Sequence, residues 1–103
     1  MRFQLVLQWT TELENDYDVL IAMEGTLEKS IPVAEGDVDG HDFGSGEMNL
    51  FVYTDDPARA FQAASRALGG NPRWSAVRAG YRPVDGDDYT VLWPPTLEQL
   101  SVA

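Results

Sequence analysis

The residues best suited to chemistry gather in one stretch, Glu35 to Pro57. It holds the single histidine, His41, and seven carboxylates with no Lys or Arg among them. Asp37, Asp39, His41, Asp42 and Glu47 offer the oxygen and imidazole groups that bind divalent cations. In an extended strand Asp37, Asp39 and His41 fall on one side, within reach of one ion. The spacing does not make an EF-hand loop, because a count from Asp37 puts Asp42 where the sixth-position glycine is required. There is no cysteine and no second histidine. The competing reading is a solvated edge strand whose charges block pairing with other strands. That reading is preferred, so no metal and no cofactor are expected.

His41 has the natural pKa of a general base at neutral pH, with Asp39 or Asp42 to orient it and Ser45 close by in sequence. Proximity along a hairpin does not make a triad, and no oxyanion donor is evident. Gly44-Ser45-Gly46 is not a nucleophile elbow, since Phe43 and Glu47 occupy the outer glycine positions. It lacks the Gly-Lys-Ser/Thr of a phosphate loop, and its neighbouring carboxylates oppose an anion. It reads as a turn. No catalytic residue is assigned, and an enzyme is the less favoured class.

The second half carries the other candidates. Trp74, Tyr81, Tyr89 and Trp93 could stack a ligand or anchor a partner, although aromatic residues are more often core. Arg78 and Arg82 sit at even spacing in an expected strand, with Trp74 in register. They could clamp a carboxylate, but pairing with Asp85, Asp87 or Asp88 is preferred.

The formal net charge is −10, and it is unevenly spread. Met1 to Asp56 holds 13 acids and 2 bases, while Pro57 to Ala103 holds 4 acids and 5 bases. This balance repels nucleic-acid phosphates and suits a basic protein partner. With 44% hydrophobic residues the chain can build a core despite its charge. At 103 residues it is expected to form one domain, 1–103. The absence of cysteine fits a reducing compartment. The opening run Met1 to Trp9 is too short and too interrupted by Gln for a signal peptide or a membrane span. A cytoplasmic protein without membrane contact is expected.

These residues need elements to position them. Residues 2–9 alternate, with Phe3, Leu5, Leu7 and Trp9 on one side and Gln4, Val6 and Gln8 on the other. From about 13 to 29 the period becomes helical, with Leu13, Tyr17, Leu20, Ile21 and Leu27 as the expected core stripe. Thr11 to Glu14 fits a capping box, with Asn15 or Asp16 as later starts. A weak strand, Val33 to Phe43, turns at Gly44-Ser45-Gly46 into a strong central strand, Glu47 to Thr54. Thr54, Asp55 or Asp56 caps a second helix, with Pro57 in its first turn, Phe61, Ala64 and Leu68 as its stripe, and Gly69-Gly70 at its end. Strands follow at about Trp74 to Arg82 and Tyr89 to Trp93, with a short terminal turn from Thr96 to Leu100. The order β-α-β-β-α-β-β predicts an α+β, ferredoxin-like two-layer sandwich, antiparallel-rich, with both helices on one face. A small α+β sandwich with another strand order is the alternative. The ferredoxin-like arrangement leaves Gln4, Val6 and Gln8 on an open sheet face, where a ligand or a homodimer could form.

The run Asp39-Gly40-His41-Asp42-Phe43-Gly44-Ser45-Gly46-Glu47-Met48-Asn49, then Thr54-Asp55-Asp56-Pro57 and Tyr89-Thr90-Val91-Leu92-Trp93-Pro94, resembles a group of small uncharacterised bacterial proteins. In size and charge alone the chain is also similar to the acidic immunity proteins of bacterial toxin systems. Neither likeness carries a functional residue. The expected function is therefore a protein-binding module, immunity-like or adaptor, acting through Asp37, Asp39, His41, Asp42, Glu47, Asp55 and Asp56. The alternative is a small-molecule or metal-binding protein, or an enzyme, that uses the His41 region or the open sheet face.

Overall fold

The computed structural model describes residues 1–103. Its elements are β1 (Phe3–Thr10), α1 (Asp16–Ser30), β2 (Asp37–Gly44), β3 (Glu47–Thr54), α2 (Pro57–Leu68), a 3-10 turn (Pro72–Ala76), β4 (Arg78–Pro83) and β5 (Thr90–Trp93). The strands form one open antiparallel sheet in the order β2-β3-β1-β4-β5. The fold class is α+β, with two α-helices. No helix is long and apolar enough to cross a membrane.

Alternation along β1 and β3 builds the core. Leu5 lies opposite Val52, Leu7 opposite Leu50 and Trp9 opposite Met48. These six are buried together with Leu20, Met23 and Leu27 of α1 and Ala60, Ala63, Ala64 and Leu68 of α2. Each Leu-sized side chain removed from water contributes about 2 kcal/mol. The sheet side that carries these residues is called the core face below. The other side carries Gln4, Val6, Gln8, Asn49, Phe51 and Tyr53 and is called the reverse face.

The hairpin and the second helix follow their sequence signals. Ser45 (φ 57°) and Gly46 (φ 80°) both have positive φ, which suits the two-residue turn that matches strand twist. Asp56 caps α2, its carboxylate accepting from the Arg59 N–H at 3.1 Å. Pro57 occupies the first turn, where no N–H is needed.

One alternative is decided and two expectations are corrected. The first helix takes the later of the starts open to it, with Asn15 at the N-cap and Asp16 first in the helix: the Asp16 carboxylate accepts from the Glu12 and Leu13 N–H groups, each at 2.7 Å, and so holds the entry loop. Its buried stripe is Asp16, Leu20, Met23 and Leu27, while Leu13, Tyr17 and Ile21 are exposed. The fourth strand starts at Arg78. Asn71 accepts from the Arg73 N–H and opens a 3-10 turn through Ala76, so Trp74 lies outside the strand and out of register with Arg78.

The reverse face is also not open along β1. Gln4, Val6 and Gln8 are all buried. The terminal turn lies at Pro94–Leu97, earlier than the expected Thr96–Leu100, and from it an irregular segment through Ser101 crosses this face. Gln8 Nε2 donates to the Ser101 carbonyl at 2.9 Å. Leu100 seats over Gly80, where an added Cβ would come within 2.6 Å of its Cδ2. Glycine at position 80 is what lets the segment lie this close to the sheet.

Candidate functional site

The β2 edge is built differently from a regular strand. Asp37 lies opposite Tyr53 and Val38 opposite Val52, but a bulge between Val38 and Gly40 shifts the register. Beyond it Gly40 faces Phe51, His41 faces Leu50 and Asp42 faces Asn49. The extra residue reverses the alternation. Asp37 and Asp42 therefore belong to the reverse side and His41 and Phe43 to the core side. The expectation that Asp37, Asp39 and His41 share one side is thereby corrected, and no group of three or more His, Asp or Glu is placed to hold a metal ion.

His41 turns instead toward α1. Its Nδ1 lies 3.0 Å from Glu24 Oε1 and 3.2 Å from Oε2. The Tyr17 ring meets His41 edge-on at 6.0 Å between centroids and Phe43 edge-on at 5.4 Å. Tyr17, Ile21, Glu24 and Glu28 recur at helical spacing and form one stripe along α1. Tyr17 is 46% exposed, Phe43 42% and Ile21 38%. The result is a surface of two aromatic rings and one isoleucine beside the carboxylates Glu24 and Glu28. Asp39 and Asp42 stand exposed on the adjoining strand.

The remaining acidic candidates have structural partners. Glu47 points to the reverse face, where it accepts from Gln8 Nε2, Asn49 Nδ2 and the Ala103 N–H. Asp55 accepts from the Arg2 N–H at 3.0 Å. Asp56 caps α2. Of the seven residues read as one binding set, Asp37, Asp39, His41 and Asp42 share the β2 edge, and the other three do not.

Comparison of the chain with protein-family models, with curated proteins and with solved structures finds no match. The surface has to be read from its own chemistry. Charged residues on a bulged edge strand discourage strand addition. The Tyr17 and Phe43 rings are held edge-to-face and half exposed, with carboxylates beside them. Tyr17 and Ile21 were read in the sequence as core. No local signal separates them: α1 carries two apolar stripes, and only packing in the fold puts Leu20, Met23 and Leu27 against the sheet.

The basic and aromatic candidates of the second half lie elsewhere. Arg82 does not pair with Asp85, Asp87 or Asp88; its Nη1 donates to the carbonyls of Pro83, Val84 and Gly86. Arg78 forms no ion pair either. Phe61 stacks between Trp74 and Trp93, at 5.7 and 6.5 Å, and these rings line a cleft of about 230 Å³ with Ser65 and Ser75. Trp9 Nε1 donates to the Arg73 carbonyl, and Arg73 pairs with buried Asp16. The Leu13 N–H bond holds the Asp16 carboxyl below its ordinary range. The Arg73 guanidinium and the Glu12 N–H add to this, against the burial that raises it.

Proposed function

We propose that this chain is a protein-binding module that engages a basic partner through the surface between α1 and β2. The observation that carries the proposal is the exposed Tyr17–Phe43 edge-to-face pair, fixed beside the His41–Glu24 contact and flanked by carboxylates. The rings supply the area and rigidity that anchor an interface. Glu24 and Glu28 stand beside the rings and set the sign of the local field, to which Asp39 and Asp42 along the β2 edge add; that field steers a basic partner and is screened by salt. An immunity-like role against a basic toxin is the concrete form of this reading. A ferredoxin-like sandwich, with both helices over the core face, belongs to the same reading. The strand order and the shared core of α1 and α2 support it.

The test is association kinetics with a basic protein recovered on the tagged chain from host lysate. Reversal of Glu28 to Lys, beside the rings, should slow association at low salt and matter less at high salt. An association rate unchanged at low salt would reject the electrostatic part of the proposal.

A further inference from the structure

The reverse face holds a second site, separate from the α1–β2 surface. The segment Leu97–Ser101 does not lie flat on the sheet. Beside them is a half-open pocket of about 230 Å³ lined by Gln8, Glu47 and Arg78 of the sheet and by Leu97, Gln99, Leu100 and Ser101 of the segment. Gln8 lies opposite Arg78 on one side and Asn49 on the other, so the polar groups of β1, β3 and β4 converge there.

Arg78 Nε is buried and has no hydrogen-bond partner in the protein. Buried N–H groups are almost always paired, and a guanidinium keeps its charge at every physiological pH. The pocket is thus bordered by a fixed positive group whose Nε–H, shielded from solvent, has no acceptor in the protein. Glu47, on the same wall, is the only carboxylate bordering the cavity. Its Oε2 takes Gln8 and Asn49 and its Oε1 takes the Ala103 N–H, which leaves acceptor capacity unused. Arg78 and Glu47 form no ion pair with each other. Two opposite charges border one space without meeting.

That arrangement selects a ligand by charge. A simple anion that satisfies Arg78 meets repulsion from Glu47, and a simple cation meets the reverse. A small molecule with both charges satisfies both. We propose that this cavity binds a small zwitterion of the α-amino acid class, its carboxylate accepting from Arg78 and its ammonium directed to Glu47. The carboxamide of Gln99 supplies further donors and acceptors from the covering segment.

The test is an NMR titration of the full chain with glycine, L-alanine and L-serine in turn, with sodium acetate and methylammonium chloride as controls at equal ionic strength. The expected result is a saturable shift of the Arg78 Nε–H and Gln8 carboxamide signals with at least one amino acid and with neither control. Arg78→Gln should weaken that binding by at least about tenfold, the loss expected for a hydrogen bond to a charged group. Because Arg78→Gln could disturb the sheet, exposed Gln99→Ala serves as a second variant and should weaken the same titration while the remaining spectrum is unchanged. No saturable shift with any amino acid, an equal shift with acetate alone, or full affinity in folded Arg78→Gln would overturn the proposal.

Discussion

His41 on the edge strand and Glu24 on α1 meet at 3.0 Å, and this contact joins the two elements that frame the proposed interface. It exists because the β2 bulge turns His41 away from Asp37 and toward the helix. Both groups are partly exposed, so the pair is a positioning contact more than a source of stability. A double-mutant cycle of His41→Ala and Glu24→Ala, read by urea denaturation, should give a coupling of about 0.5 kcal/mol. A coupling several times larger would mean that the pair holds the fold together and is not a surface feature.

Asp16 gives a pH dependence with a defined sign. Its carboxyl is held below the ordinary range, first by the Leu13 N–H, so the folded state favours the ionised form. The stability it contributes is fully present above the ordinary carboxylate pKa. It is lost as pH falls through the lowered value in the fold. Asp16→Asn should therefore be less stable than the wild type at neutral pH, and the gap should narrow in acid. Denaturation midpoints measured from neutral to strongly acidic pH check this, and a gap that does not change with pH would contradict it.

Gly80 and Leu100 test the covering segment. A methyl at position 80 would come within 2.6 Å of Leu100 Cδ2 and 2.8 Å of the Thr90 carbonyl. Gly80→Ala should cost about 1–3 kcal/mol through overpacking. Leu100→Ala, with a buried side chain removed, should cost about 2–3 kcal/mol. Hydrogen exchange should then rise at Gln8 and at position 80 in both variants. Unchanged exchange would mean that the segment does not protect the reverse face.

At the hairpin, Gly46 has φ 80° and open space around it, so a side chain there meets strain and no clash. Gly46→Ala should destabilise by about 1 kcal/mol, checked by thermal unfolding. A neutral effect would show that the turn adopts another geometry in solution.

Much of this architecture was legible because local signals agreed with the global pattern. The alternation of β1, the Gly44-Ser45-Gly46 turn and the Asp56-Pro57 helix start are each fixed by residues adjacent in sequence. What escaped depended on long-range contacts. The 3-10 turn at Pro72–Ala76 is secured where Trp9 meets the Arg73 carbonyl and Arg73 meets Asp16, across 64 and 57 residues. The bulge at Val38/Gly40 is a register shift against β3, with no period of its own to read. It split Asp37 from His41 and so dissolved the cation set. Helical spacing alone reads Tyr17 and Ile21 as core, because a helix with two apolar stripes does not reveal which one faces the sheet. Leu100 could not be placed from sequence at all, since nothing local directs the last residues across Gly80.

The anchors of the α1–β2 surface can be removed without touching the core. Tyr17→Ala combined with Phe43→Ala should leave the fold intact, because both side chains are about half exposed. Quantitative capture from host lysate, with the wild type and this double variant compared at low and moderate salt, addresses the surface directly. A basic protein bound stoichiometrically by the wild type, weakened by salt and lost from the folded double variant, is the predicted result. Equal recovery of that protein by both forms, or no basic protein enriched by the wild type, would contradict it.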